Sequence, residues 1–170
     1  MNKKGVVWVS TVLYILISLA IIGLVIAAVT PRINSAKDKA TVEQTIVMLQ
    51  DIDSTINRAS QVQGTKLEND FKMSRGMLTI DPKKDTITWE LNNSAYQYSE
   101  PGVKIKIGKI DALTTKALAG WNVMLMLNYS NLNITFNNQK TTTKILQPAE
   151  VPYKLWIENK GNNQIDITQG

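Results

Sequence analysis

The sequence predicts an α+β protein in which one long N-terminal helix is followed by an antiparallel, sandwich-like β head. Three observations predict this class. Residues 6–29 carry no charge, residues 31–63 have apolar side chains at helical spacing, and residues from 65 onward alternate apolar and polar side chains. A period of 3.6 residues is typical of an amphipathic helix, and a period of two is typical of a half-buried strand.

The composition excludes several kinds of site. The 170-residue chain has no cysteine and no histidine, which excludes disulfides, Cys/His zinc sites and Ser–His or Cys–His catalytic pairs. Its formal net charge of +5 is modest, and the basic residues are not interleaved with aromatic ones as in nucleic-acid-binding segments. We therefore expect a protein that is not an enzyme, takes no cofactor or metal and binds no nucleic acid.

The uncharged segment is long enough to cross a membrane. As a helix, the 24 residues from Val6 to Val29 would span about 36 Å, compared with a hydrocarbon core of about 30 Å. A conventional secretory signal has an apolar stretch of only about 7–15 residues before its cleavage site, so the length favours a segment that is kept. Lys3 and Lys4 precede the segment, and the bias of basic residues toward the cytoplasm predicts a cytoplasmic N-terminus.

The helical pattern continues beyond the apolar segment. From Arg32 to about Gln63, apolar residues recur at spacings of three and four, and Gly64 is a natural stop. Pro31 removes one helical hydrogen bond, so we expect a kink there rather than an end. The apolar stripe expected to dock on the head consists of Ile33, Ala36, Ala40, Ile46, Leu49, Ile52, Ile56 and Ala59.

The N-terminus resembles that of a known family. Lys3, Lys4 and Gly5, followed directly by an uncharged helix, resemble the class III leader of type IV prepilins, especially the archaeal type IV pilins and the related archaellins. In that family a membrane peptidase cuts after the glycine and leaves the apolar helix on the mature protein. The resemblance implies cleavage between Gly5 and Val6. The chain then divides into a leader (1–5), an apolar helix (6–30), an amphipathic helix (31–64) and a β head (65–170).

One position departs from the bacterial pattern. Bacterial type IV pilins generally have a glutamate as the fifth mature residue, where this chain has Ser10, and archaeal members commonly lack that glutamate. Small side chains let membrane helices approach closely. The candidate assembly residues of the helix are Ser10, Thr11, Tyr14, Ser18, Gly23 and Pro31.

The resemblance implies a structural subunit of an extracellular type IV pilus-like filament. The precursor would wait in the membrane with its head outside, meet the prepilin peptidase and the pilus assembly machinery, and polymerise with copies of itself. An adhesive head is a further interpretation, although Tyr96 and Tyr98, its candidate contacts, are better explained as core residues. The sequence leaves open a non-polymerising single-pass membrane protein with an extracytoplasmic β binding domain, a minor pilin and an archaellin.

Alternating side chains predict the strands of the head. Thr86–Leu91 is expected to pair with Met77–Ile80, and Trp121–Leu127, apolar on both faces, is expected to be central. Asp111–Gly120 is expected to be a loop or a short helix. Further strands are predicted at 103–107, 132–136, 142–146, 153–158 and 164–168. We predict seven or eight antiparallel strands in a sandwich or a strongly curved sheet.

Three Asn-x-Ser/Thr sequons lie in the head, at Asn92, Asn128 and Asn133. Their position outside the membrane makes them candidate N-glycosylation sites, and Asn128 is the one that a central strand would bury. Asp81 and Asp85 flank a Pro-Lys-Lys sequence and are interpreted as turn residues rather than calcium ligands, because the EF-hand ligand pattern is absent.

Overall fold

The computed structural model describes residues 3–170, with side chains from residue 8 onward. Within this range the chain forms one helix, α1 (Lys3–Ser60), followed by ten strands. The strands are β1 (Lys66–Phe71), β2 (Met77–Asp81), β3 (Thr86–Ser94), β4 (Lys104–Ile107), β5 (Ile110–Ala117), β6 (Gly120–Asn128), β7 (Asn133–Phe136), β8 (Lys144–Leu146), β9 (Tyr153–Gly161) and β10 (Gln164–Gln169). The predicted α+β class, a long N-terminal helix with a β head, is confirmed.

Helix α1 is continuous through Pro31. A proline inside a helix removes one hydrogen bond, and the strong helix-forming segments on both sides keep the helix intact. The kink expected at this residue stays a prediction. The helix ends at Ser60, slightly before the predicted end near Gln63. There the side-chain amide of Asn159 donates to the carbonyl oxygens of Ala59 and Ser60 at 3.1 and 3.2 Å, which satisfies acceptors of the last turn.

The head consists of two sheets. Sheet A has the strand order β1-β9-β10-β7, and sheet B has the order β4-β5-β6-β3-β2-β8. β6 lies inside sheet B between β5 and β3, and β2 pairs with β3, both as predicted. Among the described strands every neighbouring pair is antiparallel except β7 and β10, which are parallel. The predicted antiparallel head is confirmed apart from this pair, which is parallel because the chain forms β8 and β9 before β10 lies beside β7.

Two strands of the head were not predicted. The segment Asp111–Gly120, expected to be a loop or a short helix, forms most of β5. The buried positions of β5 are Ile110, Ala112 and Thr114, and the small and hydroxyl-bearing side chains conceal the period of two in the sequence. β1 lies at an edge of sheet A and alternates charged outward residues with Leu67, Asn69 and Phe71.

The C-terminal half of α1 packs on both sheets. It contacts β1, β9 and β10 of sheet A and β3, β5 and β6 of sheet B, and the buried apolar side chains of all these elements form one cluster. Burying a large apolar side chain contributes about 1.5–3 kcal/mol. The apolar residues that α1 buries are Val42, Ile46, Met48, Leu49, Ile52, Ile56 and Ala59.

The first part of the predicted docking stripe does not dock. Ile33, Ala36 and Ala40 are exposed, whereas the stripe is buried from Ile46 onward. At about 100° per residue, positions 33, 36 and 40 lie on the opposite side of the helix from the buried Val42 and its successors. The single stripe predicted from the sequence is therefore two stripes on opposite faces.

Asp38 marks the point at which α1 leaves the head. Its buried carboxylate pairs with Arg75, in the loop between β1 and β2, and accepts a hydrogen bond from the backbone N–H of Ala95 at 2.7 Å. The indole N–H of the buried Trp89 donates to the carbonyl oxygen of Arg75 at 3.2 Å. The beginning of the docked helix is thus tied through one loop to the core of sheet B.

The close packing of the β1–β2 loop against Trp89 gives a test of the fold. Gly76 has a φ of +80°, and a methyl group on its Cα would overlap the indole ring of Trp89. Because that ring is buried and cannot move aside freely, we expect Gly76→Ala to lower the free energy of unfolding by about 3 kcal/mol or more. The measurement is urea unfolding of the full chain in detergent, followed by tryptophan fluorescence.

The matched control is Gly108→Ala. Gly108 also has a positive φ, +60°, but a methyl group there would meet no atom within 4 Å. Only the backbone cost of about 1 kcal/mol is expected at this position. Equal losses in the two variants would contradict the packing described for Trp89.

Candidate assembly surface of the N-terminal helix

The part of α1 before Asp38 stands clear of the head. From Trp8 to Lys37 every side chain is exposed except Ser10 and Ser35, which are half-exposed. These 30 residues extend about 45 Å at 1.5 Å per residue. An 18-residue window of this segment has a mean hydropathy of 3.0 and no buried residue, so the helix is long and apolar enough to cross a membrane.

An apolar surface of this extent is unfavourable in water, so we expect lipid or protein to cover it. Soluble monomers seldom expose a contiguous apolar patch of more than a few hundred Å². Here the large apolar side chains are exposed around the whole circumference, and Trp8 and Leu24 reach 78% and 72% exposure. Covering each large side chain would stabilise the protein by about 1.5–3 kcal/mol. Lipid, or the helices of other copies of the chain, can supply that cover.

The predicted polar assembly residues lie mainly together. Ser10, Tyr14 and Ser18 follow one another at a spacing of four on one side of the helix, and Thr11 lies beside them. The Ser18 hydroxyl donates to the carbonyl oxygen of Tyr14 at 2.8 Å, and Thr30 makes the same bond at 2.7 Å to the carbonyl four residues earlier. A hydroxyl bonded to its own helix needs no water, so both side chains suit apolar surroundings.

Gly23 lies on a different side of the helix from this polar group. A methyl group on Gly23 would meet no atom within 4 Å, so the fold of a single copy does not require glycine there. Ala27 follows four residues later and completes a small-xxx-small pattern, which was not predicted and which permits close helix approach. Pro31, the last predicted assembly residue, is exposed and lies just beyond the apolar segment.

A second apolar surface extends past the end of that segment. We call it the outer stripe and define it as Ile33, Ala36, Ala40 and Val47; Ile33 is 46% and Val47 56% exposed. These positions share the face of α1 that points away from the head. Val47 lies about 27 Å along the helix from Val29, so a membrane that ends near Val29 does not reach it.

The residue spacing along α1 separates the docked face from the outer stripe. The docked face follows a regular spacing of three and four through Val42, Thr45, Leu49 and Ile52, and Thr45 is buried despite its hydroxyl. Extending that spacing upstream leads to Asp38, not to Ala36 or Ala40. Because Asp38 and Thr45 are polar, the apolar pattern alone does not show which positions belong to the docked face.

The predicted cleavage site falls largely beyond what the structure describes. Met1 and Asn2 lie outside the described residues. Lys3, Lys4, Gly5 and Val6 belong to α1 by their backbone, and their side chains lie outside the described part. Cleavage between Gly5 and Val6 stays a prediction.

A groove of about 470 Å³ lies between α1 and the turn that joins β4 to β5. At its wall the Tyr129 hydroxyl donates to Asp53 Oδ1 at 2.9 Å, and Lys109 Nζ lies 3.2 Å from the same oxygen and 4.3 Å from the Tyr129 ring centroid. Burial of the phenol, together with the nearby Asp53 carboxylate, raises the pKa of Tyr129 above its usual value, so the phenol stays a donor. These groups bond to one another and tie α1 to the head.

The two aspartates of the β2–β3 turn have different partners. Asp81 Oδ1 accepts from the backbone N–H of Lys83 at 3.1 Å, whereas Asp85 Oδ1 accepts from that of Ile134 at 2.7 Å and pairs with Lys140. Within the part of the chain that the structure describes, no three acidic side chains are placed to hold a metal ion.

Tyr96 and Tyr98, the candidate adhesive residues, pack on each other. Their ring centroids are 6.4 Å apart in an edge-to-face arrangement, and both side chains are half-buried. Tyr98 packs against the hydrophobic core, and its pKa is raised, mainly by burial. This packing agrees with the interpretation of Tyr98 as a core residue.

The three sequon asparagines are exposed. Asn128 is the last residue of β6, so the expectation that a central strand would bury it was wrong. The hydroxyl residues of the sequons differ. Ser94 and Thr135 are buried, and their hydroxyls donate to a backbone carbonyl at 2.9 Å and to Asp166 at 2.7 Å, respectively, whereas Ser130 is exposed.

Three comparisons with known proteins find no match. No protein-family model matches the chain, and neither the curated proteins nor the solved structures include a match.

Proposed function

We propose that the chain is a structural subunit of an extracellular type IV pilus-like filament, held in the membrane as a precursor and assembled through α1. The observation that carries this proposal is the extent of the exposed apolar surface. It begins at Trp8, the first described side chain, and continues on the face away from the head as far as Val47.

A membrane anchor alone needs a shorter apolar surface than α1 exposes. About 20 apolar residues cross a bilayer, and the segment that ends at Val29 already supplies them. The outer stripe lies beyond the hydrocarbon, and the head does not cover it, because α1 docks through the opposite face. The uncharged segment of another copy's helix, apolar around its circumference, fits such a stripe.

The docking geometry also suits a filament with its heads outside. The head packs on one side of α1 through Val42, Leu49 and Ile56, which leaves the other side free to face neighbouring helices. When several copies gather by their free sides, the helices form an interior without water and the heads form the outer surface. The proposed role is structural, and adhesion would be a property of that outer surface.

The mature N-terminus tests this proposal. We expect filaments sheared from cells to contain a chain that begins at Val6, because the leader that ends at Gly5 is removed before assembly. Intact-mass and N-terminal peptide mass spectrometry of the sheared fraction measures it. Gly5→Leu should leave the precursor uncut in the membrane, so that the chain is absent from the sheared fraction. Gly108→Ala should alter neither the cleavage nor the amount of chain in the sheared fraction.

Two outcomes would contradict the proposal. A chain that keeps Met1 and never enters the sheared fraction would indicate the solitary membrane-anchored protein. A start near Ala28 would show that the apolar helix was a secretion signal and is lost.

Glycosylation of the folded head is expected at one sequon. Modification of a sequon requires access to its hydroxyl residue as well as to its asparagine, and Ser130 is exposed while Ser94 and Thr135 are buried. Asn128→Gln should therefore remove the glycan mass from the chain. The measurement is intact-mass analysis of protein from the native host.

Asn92→Gln and Asn133→Gln are the matched controls, since both asparagines are exposed and belong to sequons. Neither substitution should change the mass by more than the amino-acid difference. A glycan on Asn92 or Asn133, with Asn128 unmodified, would contradict the expectation.

A further inference from the structure

We propose that the turn between β5 and β6 rests on the outer surface of the membrane and, with nearby basic side chains, binds anionic lipid headgroups. We call this turn, residues 117–119, the hairpin tip. The inference requires α1 to cross a membrane but does not require a filament, so a solitary membrane-anchored protein would share it. It goes beyond the proposed function because it gives the head a binding surface of its own.

The hairpin tip has an unusual sequence for a turn. Short hairpin turns favour glycine, asparagine and aspartate, and the turn between β9 and β10 contains two asparagines. Here Leu118 and Ala119 connect the paired residues Ala117 and Gly120, and the Leu118 side chain is fully exposed. Trp121, half-exposed beside the tip, is of a residue type enriched at membrane interfaces. Single exposed leucines are common on protein surfaces, so the location of this one decides its meaning.

The hairpin tip lies at the end of the head that faces the apolar segment of α1. The start of β6 pairs with Ser94, and the backbone N–H of the next residue, Ala95, donates to Asp38. The other end of β6 precedes Tyr129, whose hydroxyl donates to Asp53 further along α1. β6 therefore runs along α1, with the hairpin tip at the end nearer the apolar segment.

The distances along the helix and the strand place the tip near the headgroups. Asp38 lies nine residues beyond Val29, which is about 14 Å along the helix. The tip extends two residues, about 7 Å, beyond the pair of Ser94 and Trp121 at the level of Asp38. It therefore ends about 7 Å above the apolar segment, and the headgroup layer on each side of a bilayer is about 5–8 Å thick.

The length of the apolar segment brings the tip closer to the membrane. As a helix the segment spans about 36 Å, about 6 Å more than the hydrocarbon core, and tilting of the helix accommodates such an excess. A tilt toward the hairpin lowers Leu118 into the headgroup layer. Because anchors at the membrane surface set the direction of a tilt, the hairpin tip would fix the orientation of the head above the membrane.

The charges at this end of the head complement a surface rich in phosphate. The nearest acidic residue of α1, Asp38, is buried and paired with Arg75. The next one, Glu43, lies about 7 Å further from the apolar segment along the helix and pairs with Lys39. Basic side chains close to a membrane attract anionic lipids. The exposed basic residues at this end are Lys116, next to the tip, and Arg32, Lys37 and Lys39 on α1.

Quenching by a spin-labelled lipid tests the contact. The full chain with Ala119→Cys, labelled with the fluorophore NBD, would be reconstituted in vesicles of phosphatidylcholine and phosphatidylglycerol that contain the spin-labelled lipid. Lys83→Cys, at an exposed position in the β2–β3 turn at the far end of the head, is the reference. We expect NBD at position 119 to be quenched about fivefold more strongly than at position 83, and less strongly when phosphatidylglycerol is omitted.

Two glutamate substitutions separate the tip from a general effect of charge. Leu118 and Val62 are both exposed and apolar, but Val62 follows the end of α1 at the far end of the head. Leu118→Glu should lower the quenching at position 119 to the level at position 83, because a carboxylate is repelled by anionic headgroups. Val62→Glu should leave the quenching unchanged. Urea unfolding should be the same for both variants as for the natural chain, since both positions are exposed.

Three results would overturn this inference. The first is equal quenching at positions 119 and 83, and the second is an equal effect of the two glutamate substitutions. The third is a blue-shifted NBD emission at position 119 without quenching, which would show that another copy covers the tip instead of lipid. None of these measurements involves the sheared filament, whose mature N-terminus tests the proposed function separately.

Discussion

The structure depends on a surface that one chain cannot cover. Helix α1 is 58 residues long, and the head buries only its second half, along one face. The remaining apolar surface includes the whole circumference before Pro31 and the outer stripe beyond it. Transfer of such a surface from water is worth far more than the net stability of a typical domain. Whatever covers this surface therefore decides where the chain resides and what it does.

The head is built so that it leaves this surface open. Asp38 sets the boundary, because its buried carboxylate binds Arg75 and the backbone of Ala95, whereas the side chains described from Trp8 to Lys37 are exposed or half-exposed. Beyond it, both sheets share one core with the docked face of α1. The ties at Asp38 and, further along, between Asp53 and Tyr129 hold the helix in one rotation relative to the head. The same rotation directs Ala36 and Ala40 away from it.

The elements that follow a simple period were predictable, and those in mixed environments were not. The apolar segment, the β2–β3 pairing and the central position of β6 could be predicted because their side chains alternate regularly or are apolar over most of the segment. β5 was missed because Ala112 and Thr114 are buried without being strongly apolar. The sequence pattern predicted one apolar stripe on α1 instead of two, because the polar residues Asp38 and Thr45 belong to the docked face. Buried polar residues are satisfied by tertiary partners that a sequence period does not reveal.

The accessibility of Val47 tests the central claim most directly. Val47→Cys would be labelled on intact cells with a membrane-impermeant maleimide, with Lys83→Cys, at an exposed position between β2 and β3, as the reference. If other copies cover the outer stripe, Val47→Cys should label far less than Lys83→Cys and reach its level once the assembly is dispersed in detergent. Equal labelling of the two cysteines before dispersal would contradict the account, because it would leave the outer stripe uncovered on the cell surface.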